Sequence, residues 1–244
     1  MWVENKGAAL TAHFAGTQEF MKPHHLRKKV KGPAGRTAPD IPADLQQVTF
    51  TDDVFAEPEI SLRECFLENV SFQDRSLKSV VLETCILKGV SFARCNIRSL
   101  RLKDVRLVEC DFANTEAIGL KAVRTELINC RLTGLRAVES ECQDFLISGG
   151  DAGFTQFRSG TFKTSELKSC NFSEADFHCC DLRGAVLQSS EFKNADMIGA
   201  KLEGADFRGS RVESLMVLAA DLKGAIVDPA QAMIFSELLG LKIR

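Results

Sequence analysis

The chain has 244 residues, 45% of them hydrophobic, with 31 basic against 33 acidic side chains and a formal charge of -2. So even a balance excludes, on charge alone, a general polyanion binder and a strongly acidic mimic. The opening residues Met1-Trp2-Val3-Glu4 lack the basic start and apolar core of a secretory signal, and no apolar stretch is long enough for a bilayer span. A cytoplasmic protein without membrane contact is therefore expected.

Residues 1–45 read as an N-terminal extension, partly flexible. Gly7 to Met21 has room for a short helix. His24-His25-Leu26-Arg27-Lys28-Lys29-Val30-Lys31 is the one concentrated basic run, but without aromatic interleaving it reads as solvated surface and not as a nucleic-acid site. Gly32-Pro33-Ala34-Gly35 and the prolines that follow read as a linker. Phe50, Phe55 and Ile60 then begin or plug the next unit.

From Leu62 to Val227 every fifth residue is apolar, 34 positions in succession, and all but Ala117, Ala122, Ala137, Cys142 and Ala152 are Leu, Ile, Phe, Met or Val. A second column two residues earlier, from Ile60 through Cys65, Val70 and Cys85 to Ala225, is mostly small, and Arg75 is its one charged member. Period five matches neither a helix nor a strand, so no single straight element buries both columns. The chain must turn at each unit. Four units close a square coil, residues twenty apart stack, and that longer period is visible in Phe72, Phe92, Phe112, Leu132, Ala152, Phe172 and Phe192. At four to a coil, 34 units make about 8 coils, a rod of roughly 40 Å at the spacing of hydrogen-bonded strands.

Cys170-Asn171-Phe172-Ser173-Glu174-Ala175-Asp176-Phe177 and Ala205-Asp206-Phe207-Arg208-Gly209 resemble the A(D/N)LXX units of the pentapeptide-repeat family. The resemblance implies an all-β fold, a right-handed quadrilateral β-helix, over residues 60–228. With its flanks this makes a β-helix unit of 46–228. All six prolines lie outside the repeats, as fits a residue that cannot donate to a ladder. Between Ala113 and Gly160 the pattern thins, with Glu116, Lys121, Ser140, Gly149, Gly150 and Gly153, and a less protected zone is expected there.

Residues 229–244 form the last unit, a capping and dimerisation helix. Asp228-Pro229-Ala230-Gln231 combines an N-cap, proline at the first helical position and the capping-box glutamine, and Gly240 supplies a stop, so a helix is predicted over about 229–239. Its apolar residues Met233, Ile234, Phe235, Leu238, Leu239 and Leu241 are divided between covering the last coil and meeting a second copy.

Seven cysteines, Cys65, Cys85, Cys95, Cys110, Cys130, Cys170 and Cys180, fall in the small inward column and read as core filler, with Cys65 over Cys85 and Cys110 over Cys130 one coil apart. His178-Cys179-Cys180 lacks the convergent donors of a metal site, because Cys180 points inward and Arg158 and Ile198 stack beside His178. Outward Asp176, Asp181, Asp196 and Asp206 read as turn residues, since paired carboxylates do acid–base work only in a cleft that separates their pKa values. No catalytic residue, cofactor or metal is expected, and the chain reads as non-enzymatic.

Outward apolar residues one coil apart, Phe66 with Ile86, Val108 with Ile128, Ile118 with Val138 and Ile198 with Leu218, mark a candidate protein-binding surface. A protein-binding scaffold is thus the leading reading, with the partner open. The resemblance also implies an alternative, because the family includes quinolone-resistance proteins that imitate DNA and protect gyrase. The column Asp111, Arg131, Asp151, Asn171, Glu191, Arg211 mixes signs where such mimicry needs an acidic stripe.

Overall fold

The computed structural model describes residues 35–48 and 57–241. Phe50 and Phe55, the helix expected within Gly7 to Met21 and the basic run His24 to Lys31 lie outside the described residues.

The strands are β1 (Gln46–Gln47), β2 (Glu59–Arg63), β3 (Cys65–Glu68), β4 (Ser76–Leu77), β5 (Ser79–Lys88), β6 (Asn96–Ile97), β7 (Leu100–Val108), β8 (Lys121–Ile128), β9 (Glu141–Ser148), β10 (Thr161–Lys163) and β11 (Glu166–Lys168). Every pairing is parallel, and from β2 onward the partners are twenty residues apart, as in Val80 with Leu100 and Leu102 with Ala122. Single bridges continue the register, one ladder running Ser71, Ser91, Asp111, Arg131, Asp151, Asn171, Glu191, Arg211. The molecule is a parallel β-solenoid with four sides to a coil.

The two inward columns explain this closure. Every central position from Leu62 to Val217 is buried, and the small column lies beside it. Phenylalanines stack along the tube, with Phe72 and Phe92 rings 5.0 Å apart and Phe172 and Phe192 rings 5.3 Å apart. Amide groups of each coil donate to carbonyls of the next, as from Phe72 to Ser91 and from Phe92 to Asp111, both 2.7 Å. Most corners place a left-handed residue two positions after the central one: some are Asn, Asp or Gly, as at Asn69, Asp74 and Gly119, and many others are Glu, Ser, Thr or Arg, as at Glu64, Thr84 and Arg94.

In the thinned zone the structure supplies a compensation that the period alone does not display. Ala117, Ala122 and Ala137 are small in the central column, and Leu120, Leu135 and Phe145 are large in the other, so the two columns exchange bulk. A residual cavity of about 20 Å³ remains among Leu102, Phe112, Ala117, Leu132 and Phe145.

The C-terminal cap is α1 (Pro229–Ser236), continued by a 3₁₀ turn to Leu239. The Asp228 carboxylate accepts from the Gln231 amide at 3.0 Å, and the Gln231 side-chain oxygen accepts from the Asp228 amide at 3.0 Å. Gln231 does more than close the capping box: its Nε2 donates to the carbonyls of Phe207 at 2.6 Å and Ser210 at 2.7 Å, pinning α1 to the last coils.

Candidate functional site: a strapped corner and an aromatic side

Residues 35–48 correct the reading of this stretch as a linker. The segment lies along a corner of the solenoid and runs against the direction in which the coils advance. Arg36 meets Glu126 and Glu166, the Thr37 amide donates to Asp144 at 3.0 Å, the Asp40 amide donates to Asp104 at 3.0 Å, and β1 pairs with β3. Pro39 and Pro42 keep a chain extended and have no amide hydrogen to satisfy, which suits a strap as well as a linker. What separates the two is the distant set of carboxylates.

That set is a buried ionic cluster. Asp104, Glu126, Asp144 and Glu166 are all buried beneath the strap, and Arg36 is 7% exposed. Glu126 accepts from Arg36 Nη2 at 3.0 Å and from Arg106 Nε at 2.8 Å, while Glu166 accepts from Lys168 Nζ at 2.6 Å. Asp144 accepts from the Thr164 hydroxyl at 2.9 Å. Burial pushes the Asp104 carboxyl up, but the Arg124 guanidinium and the Asp40 amide outweigh it and hold Asp104 below the usual carboxylate range.

The outward apolar residues separate into two groups. Phe66 pairs in register with Ile86 and Val108 with Ile128, and all four are half-buried. On another side Ile118 is 43% exposed above half-buried Val138, and nearby Phe154 is 61% exposed. Val138, Phe154, Gln156, Arg158, Glu174 and Asp176 line an open groove of about 540 Å³. Phe154 escaped the sequence reading because it stands at a corner, two places after central Ala152, outside both inward columns. It is the one aromatic among the described non-glycine residues of positive φ, at 58°, a position that costs on the order of 1 kcal/mol. A phenylalanine where a polar residue or glycine usually stands is the signal that could have found it.

At the C-terminal end Met233, Leu238 and Leu241 are exposed, joined by Met216, Leu218 and Ile226. Ile234 and Phe235 are half-buried and pack on the core, so of the expected dimer contacts these two are turned to the cap. Leu239 lies in the 3₁₀ turn.

Among the described residues, Asp176, Asp196 and Asp206 each accept from the amide two residues on, at 2.9, 2.9 and 3.1 Å, which makes them turn residues. His178 Nδ1 is 3.7 Å from Asp196 Oδ2, and no group of three or more metal-ligating side chains converges among the described residues. All nine cysteines are thiols, and only Cys179 is exposed. Burial pushes the Cys170 and Cys180 thiols up to about 12, so neither is a thiolate nucleophile near neutral pH. Among the described residues no helix is long and apolar enough to cross a membrane.

The pentapeptide-repeats family model matches residues 165–211 in eight copies. No curated protein matches the chain. Among solved structures, the chain is similar to QnrB1, a plasmid-mediated fluoroquinolone resistance protein, at 19% identity and a TM-score of 0.40, covering 82% of this chain and 95% of that one. It is also similar to HetL, a pentapeptide repeat protein involved in heterocyst differentiation regulation from the cyanobacterium Nostoc sp. strain PCC 7120, at 20% identity and a TM-score of 0.28, covering 69% and 92%. A third is Rfr23, a pentapeptide repeat protein from the cyanobacterium Cyanothece 51142, at 16% identity and a TM-score of 0.23, covering 70% and 92%.

Proposed function

We propose that this chain, a pentapeptide-repeat β-helix, is a non-enzymatic scaffold that binds a protein partner on the side carrying Ile118, Val138 and Phe154. The observation that carries the reading is Phe154, an aromatic held at a left-handed corner and left 61% exposed. A residue that is both strained and poorly buried contributes little to the fold, and exposed aromatics are the usual anchors of protein interfaces. Its surroundings suit a polar rim, with Arg158 Nη2 3.0 Å from Asp176 and Arg136 Nη1 2.6 Å from Glu116. These charges neutralise one another across an open surface, an arrangement with no evident use in acid–base catalysis.

The experiment is a photo-reactive amino acid placed at position 154 in the native cell. A discrete protein adduct that disappears in the Ile118→Glu variant supports the reading. No adduct, or an adduct indifferent to Ile118→Glu, refutes it.

A homodimer through the C-terminal end belongs to the same proposal, supported by the exposed Met233, Leu238 and Leu241. The cytoplasm is its proposed setting, in keeping with nine free cysteines. DNA mimicry with topoisomerase protection is not favoured, because the ladder from Asp111 through Arg131 to Arg211 mixes acidic, neutral and basic residues.

A further inference from the structure

The channel beneath the strap is only partly satisfied by the segment that fills it. Arg36 Nε and Nη1 and Glu166 Oε1 are buried without hydrogen-bond partners among the described residues, and Arg36 Nε stands 3.6 Å from Glu166 Oε1, too far for a good bond. Glu166 is 1% exposed and directs that oxygen at the strap's arginine. Buried charged groups left in this state weaken the hold of the segment that leaves them so.

The chemistry that fits is displayed by the strap itself. It is an extended segment bearing one arginine for the two glutamates, an amide one residue later for Asp144 and another amide three residues beyond that for Asp104. Pro39 falls between the two donating amides, where no hydrogen is needed. Sequence similarity to the strap is not required, since all four of these polar contacts to the channel are made by one guanidinium and two backbone amides.

We infer that this corner is a docking channel for an extended, arginine-bearing segment of a protein partner, and that residues 35–48 occupy it as a built-in competitor. A tethered segment competes at an effective concentration on the order of millimolar, so the intact strap shuts out a modest ligand. A partner segment that also pairs Arg36's unsatisfied counterpart, Glu166 Oε1, gains what the strap forgoes. The inference stands apart from the reading of Phe154, which lies on a different side.

The test uses the full chain and, as probe, a fluorescent synthetic peptide with the sequence of residues 35–48, followed by anisotropy. Arg36→Ala loosens the resident strap, and the variant is expected to bind the peptide at least about tenfold more tightly than the wild type. Adding Glu126→Gln and Glu166→Gln to Arg36→Ala is expected to abolish that gain. Equal binding by wild type and Arg36→Ala, or a gain that survives loss of both glutamates, overturns the inference. Circular dichroism checks that the β-rich fold persists; where Arg36→Ala fails that check, Arg36→Lys, which keeps the charge and drops the fork, is held to the same two outcomes.

Discussion

Arg36 Nη2 donates to Glu126 Oε1 over 3.0 Å although the two residues are ninety positions apart in sequence, and both side chains are buried. Removing one member of such a pair strands the other in a poorly solvated place. Glu126→Ala is therefore expected to lower stability by about 3 kcal/mol in urea unfolding. Arg63→Ala, which breaks an exposed pair with Glu83, is expected to change it by less than about 1 kcal/mol.

Asp104 gives the strap a pH dependence with a definite sign. Its carboxyl is held below the ordinary value of 3.8, so its contribution is complete above that value and is lost as pH falls through the lower folded-state pKa. The urea midpoint of the wild type is expected to fall as pH drops below the ordinary carboxylate value of 3.8, and Asp104→Asn to reduce that fall. An identical fall in the variant would show that Asp104 is not the responsible group.

Phe145 is large where its column is usually small, and it makes up for Ala117 and Ala137 nearby. Phe145→Ala is expected to cost about 3–5 kcal/mol, because it enlarges a cavity already present. Hydrogen exchange should report the effect locally, with amides of β8 and β9 losing protection before those of the last coils.

Gly150 has φ of 83°, and a Cβ there would stand 2.1 Å from the Cys130 carbonyl oxygen of the coil beneath. Backbone cannot retreat as a side-chain tip can. Gly150→Ala is expected to destabilise by at least about 2 kcal/mol. Gly119→Ala, with open space at its Cβ, is expected to show only the conformational penalty of about 1 kcal/mol.

At the C-terminal end the structure decides which substitution tests self-association. Met233 is 53% exposed, whereas Ile234 packs on the last coil. Met233→Glu is expected to convert the proposed dimer to a monomer in sedimentation without lowering the melting temperature. Ile234→Glu is expected to lower the melting temperature by opening the cap.

The tube was legible in the sequence because its core is built from local regularity: Phe72, Phe92, Phe172 and Phe192 recur at the fold's own period, and each needs only its neighbours twenty residues away. The cap was legible for a similar reason, since Asp228 and Gln231 complete their capping box within four residues. Phe154 and the exchange of bulk around Phe145 lay within the repeat, yet departed from it, and a period displays what recurs.

By itself, then, the order of residues determined the coil, its register and its closing helix, because steric alternation and apolar burial act between near or evenly spaced neighbours. Tertiary structure alone decided that residues 35–48 lie on the rod and that Asp104, Glu126, Asp144 and Glu166 are buried. Those carboxylates occupy ordinary outward positions of the repeat. They leave water only because Arg36, Thr37 and Asp40 arrive from 64 to 107 residues away, and an interaction between groups so far apart along the chain has no periodic trace.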